Sequence, residues 1–373
     1  MVNLKNCSIE KLYNICKKRR MFLFGLSKTL DSQIVYRTPD YDVREVADGI
    51  IDNDINKHGN IIETTSGKQL KIYSLEKIKN GIRPTDIVLI TSIHYCELIE
   101  QLDAERSFDQ IDCYILYFVN DCMDAFTDVN VLRKADHKSY IIPPIIHFCW
   151  FGQKQIPEKY LEYMSTWKKY CPNYEIVKWD ETNFDVNQHP YTKWAYENEK
   201  WPFISDYARL NVLFNHGGIY LDTDVELIKS LDDLRRYRAF IGYESYQMVA
   251  TGLGIGACKG NSIIKEMLDD YDNVDINHIS DYPCTVYQSN YLEKRGLRRN
   301  NTFQILDDGE CVVLPSDYLC GIRLYTRVRQ ITEHTVSLHH YLGNWAGEQQ
   351  YTEKEIYDKN LMLWKRIEEN IIE

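Results

Sequence analysis

The chain has 373 residues, of which 44% are hydrophobic and 27% charged, a composition that excludes a mainly disordered protein. Its 55 acidic residues outnumber the 44 basic ones, giving a formal net charge of −11. This balance argues against nucleic acid as a partner, because duplex-binding surfaces carry a basic field. The same field would repel a phosphorylated substrate, so such a substrate would need a local cation.

The sequence predicts a protein of the cytoplasm. No run of about 20 apolar residues is present, so no transmembrane helix is expected, and the first residues do not have the pattern of a secretory signal. The 11 cysteines are odd in number and scattered, which favours free thiols in a reducing compartment. Peripheral association with the inner face of the membrane stays open, and nothing indicates an oligomeric state.

Two domains are expected, since a domain usually has roughly 100–200 residues. The patterning changes between residues 120 and 140, so we predict a domain over 1–138 and a second over 139–373. In the first half, apolar runs alternate with helical patterns, which predicts a parallel, doubly wound sheet. The predicted strands are Met21–Gly25, Gly49–Asp52, Ile87–Thr91 and Tyr114–Val119.

The first strand and turn can be compared with a dinucleotide-binding fingerprint. The three glycine positions of that pattern fall on Gly25, Ser27 and Leu30, so two glycines are missing and close approach to a pyrophosphate is lost. Asp52 does stand where a ribose-binding acid would lie. A structural or regulatory role is favoured over dinucleotide binding. Through FLFG, GIIDND and DIVLIT, this half resembles Rossmann-like domains attached to some bacterial polysaccharide-synthesis enzymes.

The second half begins with the predicted strand in IIHFCWFG and continues through alternating helices and strands. Two glycines, Gly217 and Gly218, are the expected stop of a long helix. The predicted elements are a helix over Glu158–Lys169, a strand over Tyr174–Trp179, a helix over Phe203–Gly218 and a strand over Ile219–Leu221. The last strand leads directly into Asp222-Thr223-Asp224.

Asp222 and Asp224 are the sharpest candidates for chemistry. In an extended chain, residues i and i+2 point the same way, so the two carboxylates would meet at one point. Two hard oxygen ligands suit Mg²⁺ or Mn²⁺ shared with diphosphate oxygens, which supplies the local cation. A bare acidic turn would be the simpler interpretation, but the preceding helix, glycine stop and strand favour the metal site.

Ser205, Asp206 and Arg209 lie at the predicted start of the preceding helix. Ser205 is a plausible N-cap, and Asp206 suits the first-turn dipole. Asp206 and Arg209 are three residues apart and share a helix face. They could form a surface ion pair, or bind sugar hydroxyls and a departing diphosphate, and spacing alone does not separate these alternatives.

The order of these motifs resembles glycosyltransferase family 32. The blocks are IIHFCWFG, the Trp167–Glu175 segment, SDYARLNVLFNHGGIYLDTDVE and HHYLGNW, spanning about residues 140–350. The family comprises DXD-containing sugar transferases, including yeast α-mannosyltransferases and bacterial capsular polysaccharide transferases, and is more distantly similar to glucosylating bacterial toxins. The resemblance implies a GT-A fold, Rossmann-like in its nucleotide-sugar binding, with a divalent metal and retention of anomeric configuration.

The resemblance also implies roles for single residues. Trp150 would stack on the donor base, although a core aromatic is the alternative. Asp206 and Arg209 would contact the sugar and the diphosphate, with Ser205 beside them and Tyr220 packed near the donor. Asp222 would bind ribose or sugar hydroxyls and reach the metal through water, while Asp224 would bind it directly.

The HHYLGNW block would complete the site. His339 or His340 would add an imidazole to the metal shell, with His339 favoured by its position. Asn344 replaces the family's usual serine, which puts its contact with metal or phosphate in question. Trp345 would donate its indole N–H to the β-phosphate.

The sequence thus predicts a retaining glycosyltransferase that uses Mn²⁺ or Mg²⁺ and a nucleotide-sugar donor, expected to be a UDP-sugar. The acceptor would be a carbohydrate, free or lipid-linked, in capsular or surface polysaccharide synthesis. The leaving phosphate, or an acid near Glu244 or Asp281, would take the acceptor proton. The alternatives are a metal-dependent hydrolase of phosphoesters or nucleotide sugars, a nicotinamide-dependent oxidoreductase and an inactive carbohydrate-binding protein. The GLGIG run (252–256) is interpreted as backbone packing near the sugar, and Glu353–Glu369 as a solvated helix.

Overall fold

The computed structural model describes residues 1–26, 30, 39–121, 139–244, 248–276, 284–342 and 353–370. The chain divides into two compact units. Unit 1 comprises Met1–Met123, Leu324–Val328 and Gln350–Glu373, and unit 2 comprises Asp124–Arg323 and Arg329–Gln349. Each unit combines helices with a seven-stranded sheet, so the expected α/β class is confirmed.

The first part of unit 1 contains the strands β1 (Asn3–Leu4), β2 (Met21–Phe24), β3 (Gly49–Ile51), β4 (Ile61–Glu63), β5 (Gln69–Tyr73), β6 (Ile87–Ile90) and β7 (Asp112–Ile115). Its helices there are α1 (Ile9–Cys16), α2 (Leu75–Lys79), α3 (Tyr95–Asp103) and α4 (Leu116–Asp121). The strand order is β1-β7-β6-β2-β3-β5-β4. All paired neighbours run parallel except β4 and β5. Alternate residues of β2 enter two separate apolar clusters, so both faces of the central strand are buried, as a doubly wound sheet requires.

One strand of unit 1 differs from the prediction. The run Tyr114–Val119 was expected to be a single strand, but β7 ends at Ile115 and α4 begins at Leu116. All six side chains are nevertheless buried. A continuous apolar run has no periodicity that separates a buried strand from a buried helix, which explains the error.

Unit 2 contains strands β8 (Ile145–Cys149), β9 (Glu175–Trp179), β10 (Gly218–Tyr220), β11 (Val225–Leu227), β12 (Ala239–Tyr243), β13 (Val249–Ala257), β14 (Gln304–Leu306), β15 (Cys311–Leu314) and β16 (Ser337–His339) and helices α5 (Glu158–Tyr170), α6 (Pro190–Glu197), α7 (Trp201–His216), α8 (Ser262–Asp269), α9 (Cys284–Lys294) and α10 (Ser316–Leu319). The main sheet has the order β14-β15-β12-β13-β10-β8-β9, and β11 pairs with β16 in a separate ribbon. The sequence reasoning did not identify α6.

The direction of the strands determines where a site can form in unit 2. Strands β8, β9 and β10 run parallel, and β13 runs antiparallel to both β10 and β12. Strand β12 therefore has the direction of β10, and β15 is parallel to β12. The carboxyl ends of these five strands share one sheet edge, where ligands bind in open α/β sheets. This mixed sheet agrees with the expected GT-A-like fold.

Helix α7 begins earlier than predicted. Its first residue is Trp201 rather than Phe203, and its N-cap is Lys200. Pro202 lies in the first turn, where proline is tolerated because those N–H groups have no intrahelical acceptor. Ser205 is therefore inside the helix, where its hydroxyl donates to the Trp201 carbonyl (3.3 Å), and the prediction that it caps the helix is wrong.

The last helix, α11 (Glu353–Glu369), belongs to unit 1, which differs from the expected second domain over 139–373. Leu363 and Ile367 join an apolar cluster of unit 1, and Arg366 donates to Asp103 (2.9 Å). The helix thus has a buried apolar stripe, rather than being only a solvated element. None of the described helices combines the length and apolar character needed to cross a bilayer.

Candidate catalytic site

The DXD segment is positioned by the tight junction between α7 and β10. Gly217 has φ +70° and Gly218 has φ +113°, conformations that favour glycine. A side chain at Gly218 would lie 2.7 Å from Nε2 of the buried His147 in β8. The two glycines therefore let α7 end directly against the sheet, and the predicted helix stop is confirmed.

Asp222 and Asp224 converge, but not through the alternation of an extended strand. Strand β10 ends at Tyr220, and the Val225 amide donates to the Asp222 carbonyl (3.1 Å), which makes 222–225 a turn. Side-chain ligand atoms of Asp222, Asp224 and His339 nevertheless lie within 4.8 Å of one another. The predicted convergence is therefore present, produced by a different backbone geometry.

Asp224 and His339 form the buried part of this cluster. His339 Nε2 lies 3.0 Å from Oδ1 of Asp224, and the Leu342 amide donates to Oδ2 (2.8 Å). Burial alone would raise the pKa of Asp224, but His339 and the Leu342 amide lower it below its usual range. Burial would likewise lower the pKa of His339, but Asp224 and Asp222 raise it overall. The carboxylates of Asp222 and Asp224 therefore favour a positive charge within this cluster.

His340 lies outside the cluster, so the structure is consistent with the preference for His339 over His340 as the third metal ligand. Its Nε2 lies 2.8 Å from Glu226 Oε2, and its ring stacks on Tyr163 at 3.8 Å. His339 ends the strand β16 that pairs with β11, and successive residues of extended chain face opposite sides. Only one of two adjacent histidines can therefore reach Asp224.

The donor set of the cluster fits a divalent cation. Two carboxylates and an imidazole are ligands that Mn²⁺ accepts. The second ring nitrogen of His339, Nδ1, is buried and has no hydrogen-bond partner among the described residues. Asp222 is the most open of the three, with 29% of its side chain exposed, so that a ligand could approach from its side.

Arg209 connects the cluster to helix α7. Its Nη1 donates to the Thr251 hydroxyl (2.7 Å), and its Nη2 lies 3.1 Å from Asp206 Oδ1 and 3.3 Å from Asp222 Oδ1. Its Nε donates to the Ser205 carbonyl (3.1 Å). Contacts on all three nitrogens fix the guanidinium plane, as oriented recognition of a diphosphate requires. Arg209 is buried and 14% of the Asp206 side chain is exposed, so the pair lies in the site rather than on the open surface.

Tyr220 orients Asp222. Its hydroxyl donates to Asp222 Oδ1 (2.9 Å), and its buried ring lies beneath the Arg209 guanidinium at 4.9 Å. Two further residues of the site, Thr251 and Gly252, come from β13, where the Gly252 carbonyl accepts from the Asp222 amide (3.2 Å). Sequence reasoning interpreted the glycine run as packing and did not single out Thr251, because no spacing relates this crossing strand to the DXD segment.

The other predicted donor-binding residues are Trp150, Asn344 and Trp345. Trp150 follows β8 at the same sheet edge, where its indole donates to the Lys154 carbonyl (2.7 Å) and its ring meets Tyr160 edge-on. Its stacking on a base stays a prediction. Asn344 and Trp345 lie outside the described residues.

Asp206 has an unusual affinity for protons. Burial raises its pKa from 3.8 to about 6, against the attraction of Arg209. The folded chain thus holds this proton more tightly than the unfolded chain. The stability associated with the proton is complete below about pH 4 and is lost as the pH rises through about 6.

We expect Asp206→Asn to gain stability relative to wild type by up to about 3 kcal/mol between pH 4 and pH 7, since one pKa unit corresponds to about 1.4 kcal/mol. Urea unfolding of both proteins across this range measures the difference. Asp180→Asn is the control, because hydrogen bonding by Lys178 and Thr182 lowers the Asp180 pKa to about 2, so no comparable gain should occur. A constant difference between Asp206→Asn and wild type would contradict the burial of this carboxylate.

The chain matches a known family over the segment that holds most of this site. Residues 157–241 match the glycosyltransferase sugar-binding region containing the DXD motif. Asp206, Arg209, Asp222 and Asp224 lie inside this span, whereas His339 lies beyond it.

Two yeast proteins are similar to the chain. Inositol phosphoceramide mannosyltransferase 3 of Schizosaccharomyces pombe is 27% identical over 184 residues, covering 48% of this chain and 51% of that protein. Mannosyl phosphorylinositol ceramide synthase of Saccharomyces cerevisiae is 30% identical over 122 residues, covering 32% of each. The chain thus spans about half the length, or less, of these relatives.

A solved structure also resembles part of the chain. The match with the PaToxG glycosyltransferase covers 41% of this chain and 69% of that chain, with 23% sequence identity and a TM-score of 0.34. The family match confirms the resemblance identified from the sequence motifs at the level of a DXD-containing glycosyltransferase, over residues 157–241.

Proposed function

We propose that the chain is a metal-dependent glycosyltransferase that moves a hexose from a nucleoside-diphosphate sugar to a hydroxyl acceptor. The observation that carries this proposal is the convergence of Asp222, Asp224 and His339 within 4.8 Å, with the buried Arg209 beside them. A pair of acids alone would suit many sites. A fixed guanidinium next to a cation-binding cluster suits a ligand with two linked phosphates.

The residues of the site have separate tasks in this proposal. Asp222, Asp224 and His339 would hold the divalent ion, which would neutralise charge on the departing diphosphate when bound. Arg209, fixed by Thr251 and the Ser205 carbonyl, donates to diphosphate oxygens. Asp206, as a carboxylate above about pH 6, accepts hydrogen bonds from sugar hydroxyls.

The proposed transfer breaks the bond between sugar carbon C1 and the diphosphate oxygen, whose electron pair leaves with the nucleoside diphosphate. A bond forms between C1 and the acceptor oxygen, and the acceptor proton passes to the departing diphosphate oxygen. Attack from the side of departure retains the anomeric configuration, as the family resemblance implies.

The proposed donors and acceptors come from the sequence motifs and from the names of the relatives. The yeast relatives are named as an inositol phosphoceramide mannosyltransferase and a mannosyl phosphorylinositol ceramide synthase, which adds GDP-mannose and an inositol-bearing lipid to the UDP-sugar and surface carbohydrate expected from the sequence. The ten cysteines within the described residues are free thiols, in keeping with the proposed cytoplasmic location. Peripheral membrane binding would bring the enzyme to a lipid-linked acceptor.

A donor screen tests the proposal. The full chain is incubated with UDP-glucose, UDP-galactose, UDP-N-acetylhexosamines or GDP-mannose, with Mn²⁺ or with chelator, and release of nucleoside diphosphate is measured. We expect one donor to be turned over slowly with Mn²⁺ and not with chelator. Adding methyl α-D-mannopyranoside or inositol phosphoceramide in micelles should yield a glycosylated product. Turnover that yields only free sugar with every acceptor would instead indicate the hydrolase alternative.

A further inference from the structure

A further carboxylate, Glu244, lies at the sheet edge that carries the DXD segment. It directly follows β12, and Asp222 lies two residues beyond the end of β10. These strands run in the same direction with only β13 between them. Glu244 and Asp222 therefore lie on opposite sides of β13, at the edge where ligands bind.

The pairing of β12 with β13 is irregular between the strand ends that carry Glu244 and Asp222. Ile241 of β12 pairs with Ile255, but the next residue, Gly242, pairs with Ala250. The four residues Thr251–Gly254 consequently have no counterpart in β12. This released segment supplies the Thr251 hydroxyl to Arg209 and the Gly252 carbonyl to Asp222, and bulges of this kind re-aim side chains next to active sites.

Glu244 lies close enough to the metal-binding cluster for its charge to act on His339, alongside the charges of Asp224 and Asp222. Glu244 is not one of the three residues whose ligand atoms converge. Its side chain is partly exposed, and its amide donates to the Met248 carbonyl (2.7 Å), which fixes the backbone at this point.

Glu244 and the predicted base-binding residue lie on opposite sides of the DXD segment. Trp150 follows β8, which borders β10 on the side away from β12. An acceptor must approach the sugar from a direction that the nucleotide does not occupy. A carboxylate accepts hydrogen bonds only, so it matches the O–H donor that every hydroxyl acceptor presents.

We propose that Glu244 binds the acceptor hydroxyl and orients it toward the reacting carbon. The inference rests on the proposed glycosyltransferase function and adds the acceptor side of the same site. It predicts that Glu244 contributes to transfer and not to donor binding or to breakage of the donor bond.

The test separates two reactions of one protein. Donor hydrolysis without acceptor, and transfer to methyl α-D-mannopyranoside or to inositol phosphoceramide in micelles, are measured for wild type, Glu244→Gln and Glu244→Ala. We expect the ratio of transfer to hydrolysis to fall about 10- to 100-fold, as loss of a hydrogen bond to a charged group implies. Retained hydrolysis also shows that the variants are folded.

Glu310→Gln is the matched control, because Glu310 directly precedes β15 and therefore lies at the opposite sheet edge, so both reactions should be unchanged. A parallel fall of hydrolysis and transfer in Glu244→Gln would overturn the inference, as would unchanged transfer. Absence of any donor turnover in wild type would overturn the proposed function first, and the inference with it.

Discussion

Replacing Asp224 with asparagine is expected to lower donor turnover about 10³-fold, since charge stabilisation by a divalent ion is worth several kcal/mol and each ~1.4 kcal/mol changes a rate about tenfold. The amide has the shape of the carboxylate and can still accept from the Leu342 amide, which donates at 2.8 Å. It removes the negative charge that faces His339 at 3.0 Å. We therefore expect a folded protein with a disabled metal site.

Calorimetric titration with Mn²⁺ gives a measurement independent of activity. Wild type should bind the ion and Asp224→Asn should not, while the unfolding transition of the variant stays cooperative. Asp180→Asn is the matched control, because Asp180 also follows a parallel strand at this edge but accepts hydrogen bonds from Thr182 and pairs with Lys178. Wild-type Mn²⁺ affinity in Asp224→Asn would remove the metal assignment.

Gly252→Ala should lower donor turnover about 10²-fold with little effect on stability, because a misplacement of about 1 Å in a reacting site can cost that factor. An added Cβ would lie 2.2 Å from Asp222 Oδ2. That oxygen is at the end of a rotatable side chain, so the carboxylate would move and the strand would not. The backbone at Gly252 has no positive φ, so alanine introduces no strain of its own.

Gly81→Ala is the matched control for this substitution. An added Cβ there would meet no atom closer than the Ile78 carbonyl at 4.0 Å, and the backbone likewise has no positive φ. Turnover, Mn²⁺ binding and unfolding are measured for both variants. Wild-type turnover in Gly252→Ala would show that the position of Asp222 is not critical.

The sequence predicted the parts of the site that are local in the chain. Helix α7, the stop at Gly217 and Gly218, and strand β10 follow one another within about 20 residues, and each has its own signal. The convergence of Asp222 and Asp224 was also predicted, although a turn produces it. Short-range patterns were sufficient here because the site begins as one continuous segment.

The remaining contacts depend on pairing between distant segments. The choice of His339 over His340 is set by the register of β16 against β11, more than 100 residues away. Thr251 reaches Arg209 only because β13 separates from β12 at one point. Likewise, α11 packs into unit 1 through Leu363 and Ile367. A single sequence gives no signal for such registers.

The ribbon of β11 and β16 has only three residue pairs, yet it joins Asp224 to the strand that ends at His339. So short a ladder is weak by itself. Whatever cation occupies the cluster would bind only when the ribbon is closed, so occupancy and closure must reinforce each other by thermodynamic linkage. Metal binding would therefore stabilise the pairing of β11 with β16. Protection of the Leu338 and His340 amides from hydrogen exchange should then rise as the metal site is filled.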